Sequence, residues 1–192
     1  PIVHLVGISV GGAVAALFAD RYPERVASLT SVEGNFTLRD AFMSQKMAQM
    51  TPLEVEVMMQ ADRADPAAWL LAKGIFETDD RLKAARRLLE QQPSTTVQAM
   101  ARSVVEVTSK PEYEVALRRV FRNPRPTFLV AGERSRAGWD VPAWALERTG
   151  GVTLLAGVGH FMNLENPVSF GRLLTGLVNL SSTHPSKTEN PK

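Results

Sequence analysis

Ser9 stands in Gly7-Ile8-Ser9-Val10-Gly11, a G-x-S-x-G pentapeptide. A serine on a sharp turn between a strand and a helix has strained backbone dihedrals and a hydroxyl that points out of the sheet. Flanking glycines, here Gly7 and Gly11, take away side chains expected to collide across such a turn. The helix that follows aims its first N–H groups at the same place, which favours developing negative charge. The Val10 N–H is then one oxyanion donor. A serine hydroxyl is a weak nucleophile and needs a base. The chain has three histidines. His4 falls in the first strand pattern and His184 in a polar C-terminal stretch. His160, in the loop Gly157-Val158-Gly159-His160 after the last strand pattern, is placed to reach over the strand ends. With no cysteine in the sequence, disulfides, thiolate metal sites and a cysteine nucleophile are excluded.

The surrounding sequence supplies the elements to hold these residues. Ile2 to Val6 is an apolar, β-rich run ended by Gly7. Gly11 to Ala19 reads as a helix with a small-residue face, and Val26 to Val32 as a second strand. Strand, helix and strand at this spacing make a βαβ unit with parallel strands. From Phe36 to Asn123 the pattern is helical throughout. Thr51-Pro52-Leu53-Glu54 forms a capping box with proline at the first helical position, and Asp65-Pro66 opens another helix. Asp80 to Gln91, Thr95 to Val107 and Pro111 to Arg122 continue the helical period. Strand patterning returns at Thr127 to Ala131, followed by a short helix at Val141 to Arg148, a strand at Val152 to Leu155 and a helix at Phe170 to Leu180. The predicted organisation is an α/β core of residues 1–35 and 124–180, a helical cap at 36–123, and a disordered tail at 181–192.

Here the sequence resembles a known family. Val3-His4-Leu5-Val6-Gly7-Ile8-Ser9-Val10-Gly11-Gly12 and Tyr22-Pro23-Glu24-Arg25-Val26 are similar to the nucleophile strand, helix and following turn of α/β-hydrolases. Gly159-His160-Phe161-Met162-Asn163-Leu164-Glu165-Asn166-Pro167 resembles that family's histidine loop. The resemblance implies that the strands here are the family's fifth to eighth, in a parallel-sheet fold lacking its N-terminal strands. The second oxyanion donor is then expected before Pro1. On the same reading the chain by itself is an incomplete unit with Ile2 to Val6 as an open edge, prone to association.

The resemblance also locates the acid that orients the histidine. Most of the family carry an aspartate just after the seventh strand, where this sequence has Gly132-Glu133-Arg134-Ser135. Ser135 cannot hold a carboxylate's charge against a forming imidazolium. Some members, certain haloalkane dehalogenases among them, carry the acid after the sixth strand. That end reads Ser31-Val32-Glu33-Gly34-Asn35, which makes Glu33 the leading candidate; Asp140 and Glu133 are the alternatives.

A serine at the elbow, rather than the aspartate of dehalogenases and epoxide hydrolases, implies hydrolysis of an ester, lactone or amide through an acyl-enzyme. A carbon–carbon hydrolase or lyase on the same triad, and a non-catalytic hydrolase-like binding protein, are the competing readings. Six of the seven methionines, Met43, Met47, Met50, Met58, Met59 and Met100, lie in the helical insertion. They suit either a pocket for an apolar small-molecule substrate or ordinary packing between helices. Neither a metal nor a cofactor is expected. At 192 residues, 44% hydrophobic, with a net charge of +2, the chain has no basic footprint for nucleic acid. The basic run Lys83 to Arg87 reads as a solvated helix face. Val3 to Ala19 is too interrupted by polar residues and glycine for a membrane span, and a cytoplasmic location fits. The sequence does not specify an oligomeric state.

Overall fold

The computed structural model describes residues 1–182. Among these, four strands form one parallel sheet in the order β1 (Val3–Ile8), β2 (Val26–Val32), β3 (Thr127–Gly132) and β4 (Gly151–Leu155). Helix α1 (Val10–Arg21) makes the crossover from β1 to β2. Between β2 and β3 run α2 (Phe42–Gln49), α3 (Pro52–Ala64), α4 (Pro66–Ala72), α5 (Asp79–Glu90), α6 (Ser94–Thr108) and α7 (Pro111–Arg122). The short α8 (Ala143–Arg148) joins β3 to β4, and α9 (Met162–Glu165) and α10 (Pro167–Ser182) follow. α10 continues through Ser182, two residues into the segment expected to be a tail. The remainder of that segment, with His184, lies outside the described residues.

Alternation along the central strands sorts two cores onto the two sheet faces. On β3, Leu129 and Ala131 join Ala13, Ala16, Leu117 and Phe121 on one face. Phe128 and Val130 join Val32, Met162, Phe170 and Leu177 on the other. The alanines of α1 let that helix approach the sheet closely, since a longer side chain there has nowhere to go. A third cluster of Trp69, Leu70, Ile75, Ala85 and Leu89 reaches Leu164 and so ties α4 and α5 to α9. β1 and β4 are the sheet edges among the described residues. Ile2, just before β1, and Val6, within it, are 68% and 42% exposed.

Local signals act as the sequence predicts at several helix starts. Thr51 accepts from the Glu54 N–H while Glu54 accepts from the Thr51 N–H, and Asp65 accepts from the Ala68 N–H. Each such cap satisfies N–H groups that have no partner within the helix. Lys83, Arg86 and Arg87 of α5 are exposed while Ala85 and Leu89 pack inward. Among the described residues, no helix is long and apolar enough to cross a membrane.

Candidate active site

Ser9 sits between the last residue of β1 and the first of α1, with φ 53° and ψ −124°. Its N–H donates to the Val32 carbonyl at 3.0 Å, and its carbonyl accepts from the Gly12 N–H at 2.8 Å. The turn is therefore tied both to β2 and to the first turn of α1. Gly7 is required because a Cβ there meets the Gly11 carbonyl oxygen at 2.3 Å. The expectation for Gly11 needs correction. A Cβ at Gly11 meets nothing within 4 Å; the crowded helix glycine is Gly12, whose Cβ comes within 2.5 Å of the Gly34 Cα. Gly7 thus serves the close approach across the serine turn, and Gly12 the one between α1 and the end of β2. Val10 opens α1, so its N–H has no acceptor within the helix.

The end of β2 makes a second strained corner. Glu33 has φ 41°, and it and Ser9 are the non-glycine residues with positive φ among the described residues. Such conformations cost about 1–3 kcal/mol each and concentrate at functional sites. The Glu33 N–H donates to the Val130 carbonyl, while Trp139 Nε1–H donates to the Gly34 carbonyl at 2.7 Å and the Tyr113 hydroxyl to the Asn35 carbonyl at 2.5 Å. These bonds, from β3, the loop after β3 and α7, hold the corner.

The Glu33 side chain is buried and fully engaged. His160 Nδ1–H donates to its Oε2 at 2.6 Å. The Ser135 hydroxyl and the Gly132 N–H donate to Oε1 at 2.5 Å and 2.8 Å. Burial pushes this carboxyl up, but the bonds from His160, Ser135 and Gly132 outweigh it and hold it below its ordinary value. With Nδ1 committed to Glu33, Nε2 is the imidazole nitrogen left for other chemistry. Among the described residues, neither Nε2 nor the Ser9 hydroxyl makes a hydrogen bond. Both residues border one cavity of about 550 Å³, together with Val10, Phe42, Met43 and Trp139.

The loop that carries His160 is anchored from three sides. Gly159 N–H donates to Glu165 Oε1 at 2.7 Å, and Arg134 pairs with Glu165 Oε2 at 2.6 Å. Arg81 of α5 donates to the Glu165 carbonyl at 2.6 Å.

The other candidates have different partners. Asp140 Oδ2 accepts from the Thr37 hydroxyl at 2.7 Å, and Arg39 lies 3.7 Å from Oδ1. Glu133 accepts from the Gly157 N–H, and His4 meets the Ser28 hydroxyl at 2.8 Å. Of the insertion methionines, Met43 borders the cavity, whereas Met59 is buried at 4% exposure and Met100 is 43% exposed. Two participants were not assigned from the sequence. Ser135 counted only as a lost carboxylate, and its hydroxyl proves to be a donor to Glu33. Glu165 was visible within the histidine loop but carried no role until its partners were seen.

The sequence matches the alpha/beta hydrolase family over residues 1–171, and the chain belongs to that family. No curated protein sequence matches it. Solved structures with the same fold include MenH from S. aureus, at 14% identity and a TM-score of 0.65, over 94% of this chain and 69% of that one. A putative lipase from Acinetobacter baumannii is 18% identical with a TM-score of 0.66, over 96% of this chain and 62% of that one. A haloalkane dehalogenase from Bradyrhizobium elkani is 18% identical with a TM-score of 0.63, over 96% and 69%. The chain thus spans 62% to 69% of the length of these structures.

Proposed function

We propose that the protein is a serine hydrolase of small-molecule esters, or of related lactones or amides, with Ser9 as nucleophile, His160 as base and Glu33 as acid. On this reading residues 1–35 and 124–180 are the catalytic core, and residues 36–123 are a cap over the substrate. The observation that carries it is the pairing of Glu33 with His160 Nδ1 at 2.6 Å beside a strained serine. His160 Nε2 takes the Ser9 proton as Oγ attacks the carbonyl carbon, and the imidazolium is stabilised by Glu33. The carbonyl oxygen becomes an oxyanion and receives the Val10 N–H. Collapse of the tetrahedral intermediate breaks the bond to the leaving group, which takes its proton from His160. Water, deprotonated by the same nitrogen, then attacks the acyl-enzyme and releases the acid and Ser9. Ser135, which removes a carboxylate from its customary place, is accounted for as a donor to the relocated one.

The test is Ser9→Ala. Covalent labelling by a fluorophosphonate probe is expected to disappear, and kcat for an activated ester to fall by about 10⁴-fold or more. Labelling that persists in the variant refutes Ser9 as nucleophile.

A further inference from the structure

The segment Gly132-Glu133-Arg134-Ser135, at the family's usual acid position, touches both partners of the acid–histidine pair. Its ends, Gly132 and Ser135, donate to Glu33 Oε1. Its middle faces the histidine loop. Glu133 Oε2 accepts from the Gly157 N–H at 2.8 Å, and the Arg134 N–H donates to the Val158 carbonyl at 3.0 Å. The main chains lie close, since a Cβ on Gly132 meets the Gly159 carbonyl oxygen at 2.5 Å. One short stretch thus sets the spacing between the carboxylate and the loop of His160.

Arg134 adds a side-chain link. Its guanidinium pairs with Glu165 Oε2 at 2.6 Å. Glu165 Oε1 accepts at 2.7 Å from the N–H of Gly159, the residue before His160. The Glu165 side chain is 6% exposed, so its charge is out of water and depends on these two partners. A Cβ on Gly159 comes within 3.1 Å of Arg134 Nη2 and 3.3 Å of Glu165 Oε1, so the loop lies tightly against the pair. From the cap side, Arg81 donates to the carbonyls of Glu165 and Phe76 at 2.6 and 2.8 Å. Arg81 holds Glu165 by its main chain, which leaves the carboxylate to act on Gly159.

We propose that Arg134 and Glu165 form a positioning pair that sets His160 against Glu33 and Ser9. The proposal rests on the hydrolase reading of the same site. The carboxylate fixes the Gly159 peptide, and with it the point from which the imidazole projects. A misplacement of about 1 Å at a reacting group can cost about 100-fold in rate.

Glu165→Gln makes a specific test, because an amide cannot serve both neighbours. With its oxygen toward Gly159, its N–H₂ group meets the Arg134 guanidinium donor to donor; turned over, it meets the Gly159 N–H. Adding Arg134→Met removes that conflict and lets the amide oxygen accept from Gly159. Rates are compared at a temperature where circular dichroism shows every variant folded. In Glu165→Gln, kcat for an activated ester is expected to fall by about 100-fold, with KM changed by less than about threefold. The double variant is expected to recover to within about 10-fold of wild type. The rate of fluorophosphonate labelling should follow kcat. Should Glu165→Gln not fold, Arg134→Met alone carries the test, at a side chain 42% exposed, with kcat lower by about 10-fold at unchanged KM. A readout without turnover is the low-field Nδ1 proton resonance of His160, identified by its loss in His160→Gln. It is expected in wild type, lost in Glu165→Gln and restored in the double variant. A wild type that neither turns over nor labels, with the resonance responding in this way, overturns the hydrolase reading and leaves the positioning pair standing. A wild type that turns over, with kcat and the resonance unmoved in both single variants, overturns the positioning pair and leaves the hydrolase. A double variant no faster than Glu165→Gln also overturns it.

Discussion

Glu33 and Asp140 both lie in loops that follow a parallel strand, yet the fold gives them opposite surroundings. Glu33 is 7% exposed, sits on a strained backbone and accepts from an imidazole, a hydroxyl and a backbone N–H. The Asp140 side chain is 36% exposed, and its partners are Thr37 and the 84% exposed Arg39. Both segments also bind each other, since the Asp140 N–H donates to Asp40 and Trp139 donates to Gly34. The difference teaches that nearness to the family's usual chain position does not by itself bring a carboxylate to the histidine. What matters is which loop turns its carboxylate under the histidine. Here the loop after β3 contributes donors and props, while the corner after β2 contributes the charge.

The strongest way to break this comparison is to remove the charge from Glu33. Glu33→Gln keeps the side-chain volume but cannot stabilise an imidazolium, and kcat should drop by about 10³–10⁴-fold, as in other triads. Circular dichroism and the melting profile should stay native-like. A variant within about 10-fold of wild type leaves the comparison without content, because Glu33 is then not the acid.

A finer cut separates the carboxylate from its supports. Ser135→Ala deletes one of the donors that lower the Glu33 carboxyl, so the folded-state value moves up toward its ordinary 4.5. A depressed carboxyl stabilises the fold above its unfolded value, and that contribution is lost as pH falls through the folded value. The variant should therefore be less stable than wild type at pH 7, by about 2 kcal/mol. The gap should close in acid below the folded value, where Glu33 is protonated in both proteins. Thermal melts along a pH series measure this directly. A gap that is the same in acid and at neutral pH assigns Ser135 to packing alone. Activity should fall by about 10-fold, which makes Ser135 a positioning residue.

How much of this was legible in the sequence depends on the range of the interaction. Ser9 and His160 stood out because turn chemistry and strand periodicity are local, and β2 has the predicted bounds of Val26–Val32. The Thr51 capping box was legible for the same reason. Helices α2 and α9 were not delineated, being eight and four residues long. Such lengths give too few turns for a 3.6-residue period to show, and neither starts at or just after a proline as the comparably short α4 and α8 do. Gly12 was passed over in favour of Gly11 because its contact is with Gly34, a residue on another element. Ser135 was beyond reach in the same sense. Donation across 102 residues is a property of the assembled site, with no sequence spacing to betray it.

The smallest expected effect is the one that sharpens the comparison most, namely Asp140→Asn. The ion pair with Arg39 is long, at 3.7 Å, and its arginine is well exposed. Pairs of that kind contribute about 0–1 kcal/mol. The amide oxygen of asparagine can still accept from the Thr37 hydroxyl, so the tie between the two loops survives. There is also an offsetting gain. Burial pushes the Asp40 carboxyl above its ordinary range, and the charge on Asp140 pushes it further in the same direction. Removing that charge relieves the repulsion and leaves the Asp140 backbone donor in place. Asp140→Asn should therefore change stability by less than about 1 kcal/mol and kcat by less than about threefold. If instead Asp140→Asn lowers kcat by about 100-fold or more while Glu33→Gln is mild, the acid is the residue nearer the family's usual position. The pairing of Glu33 with His160 would then be an arrangement of the resting protein, replaced when substrate binds.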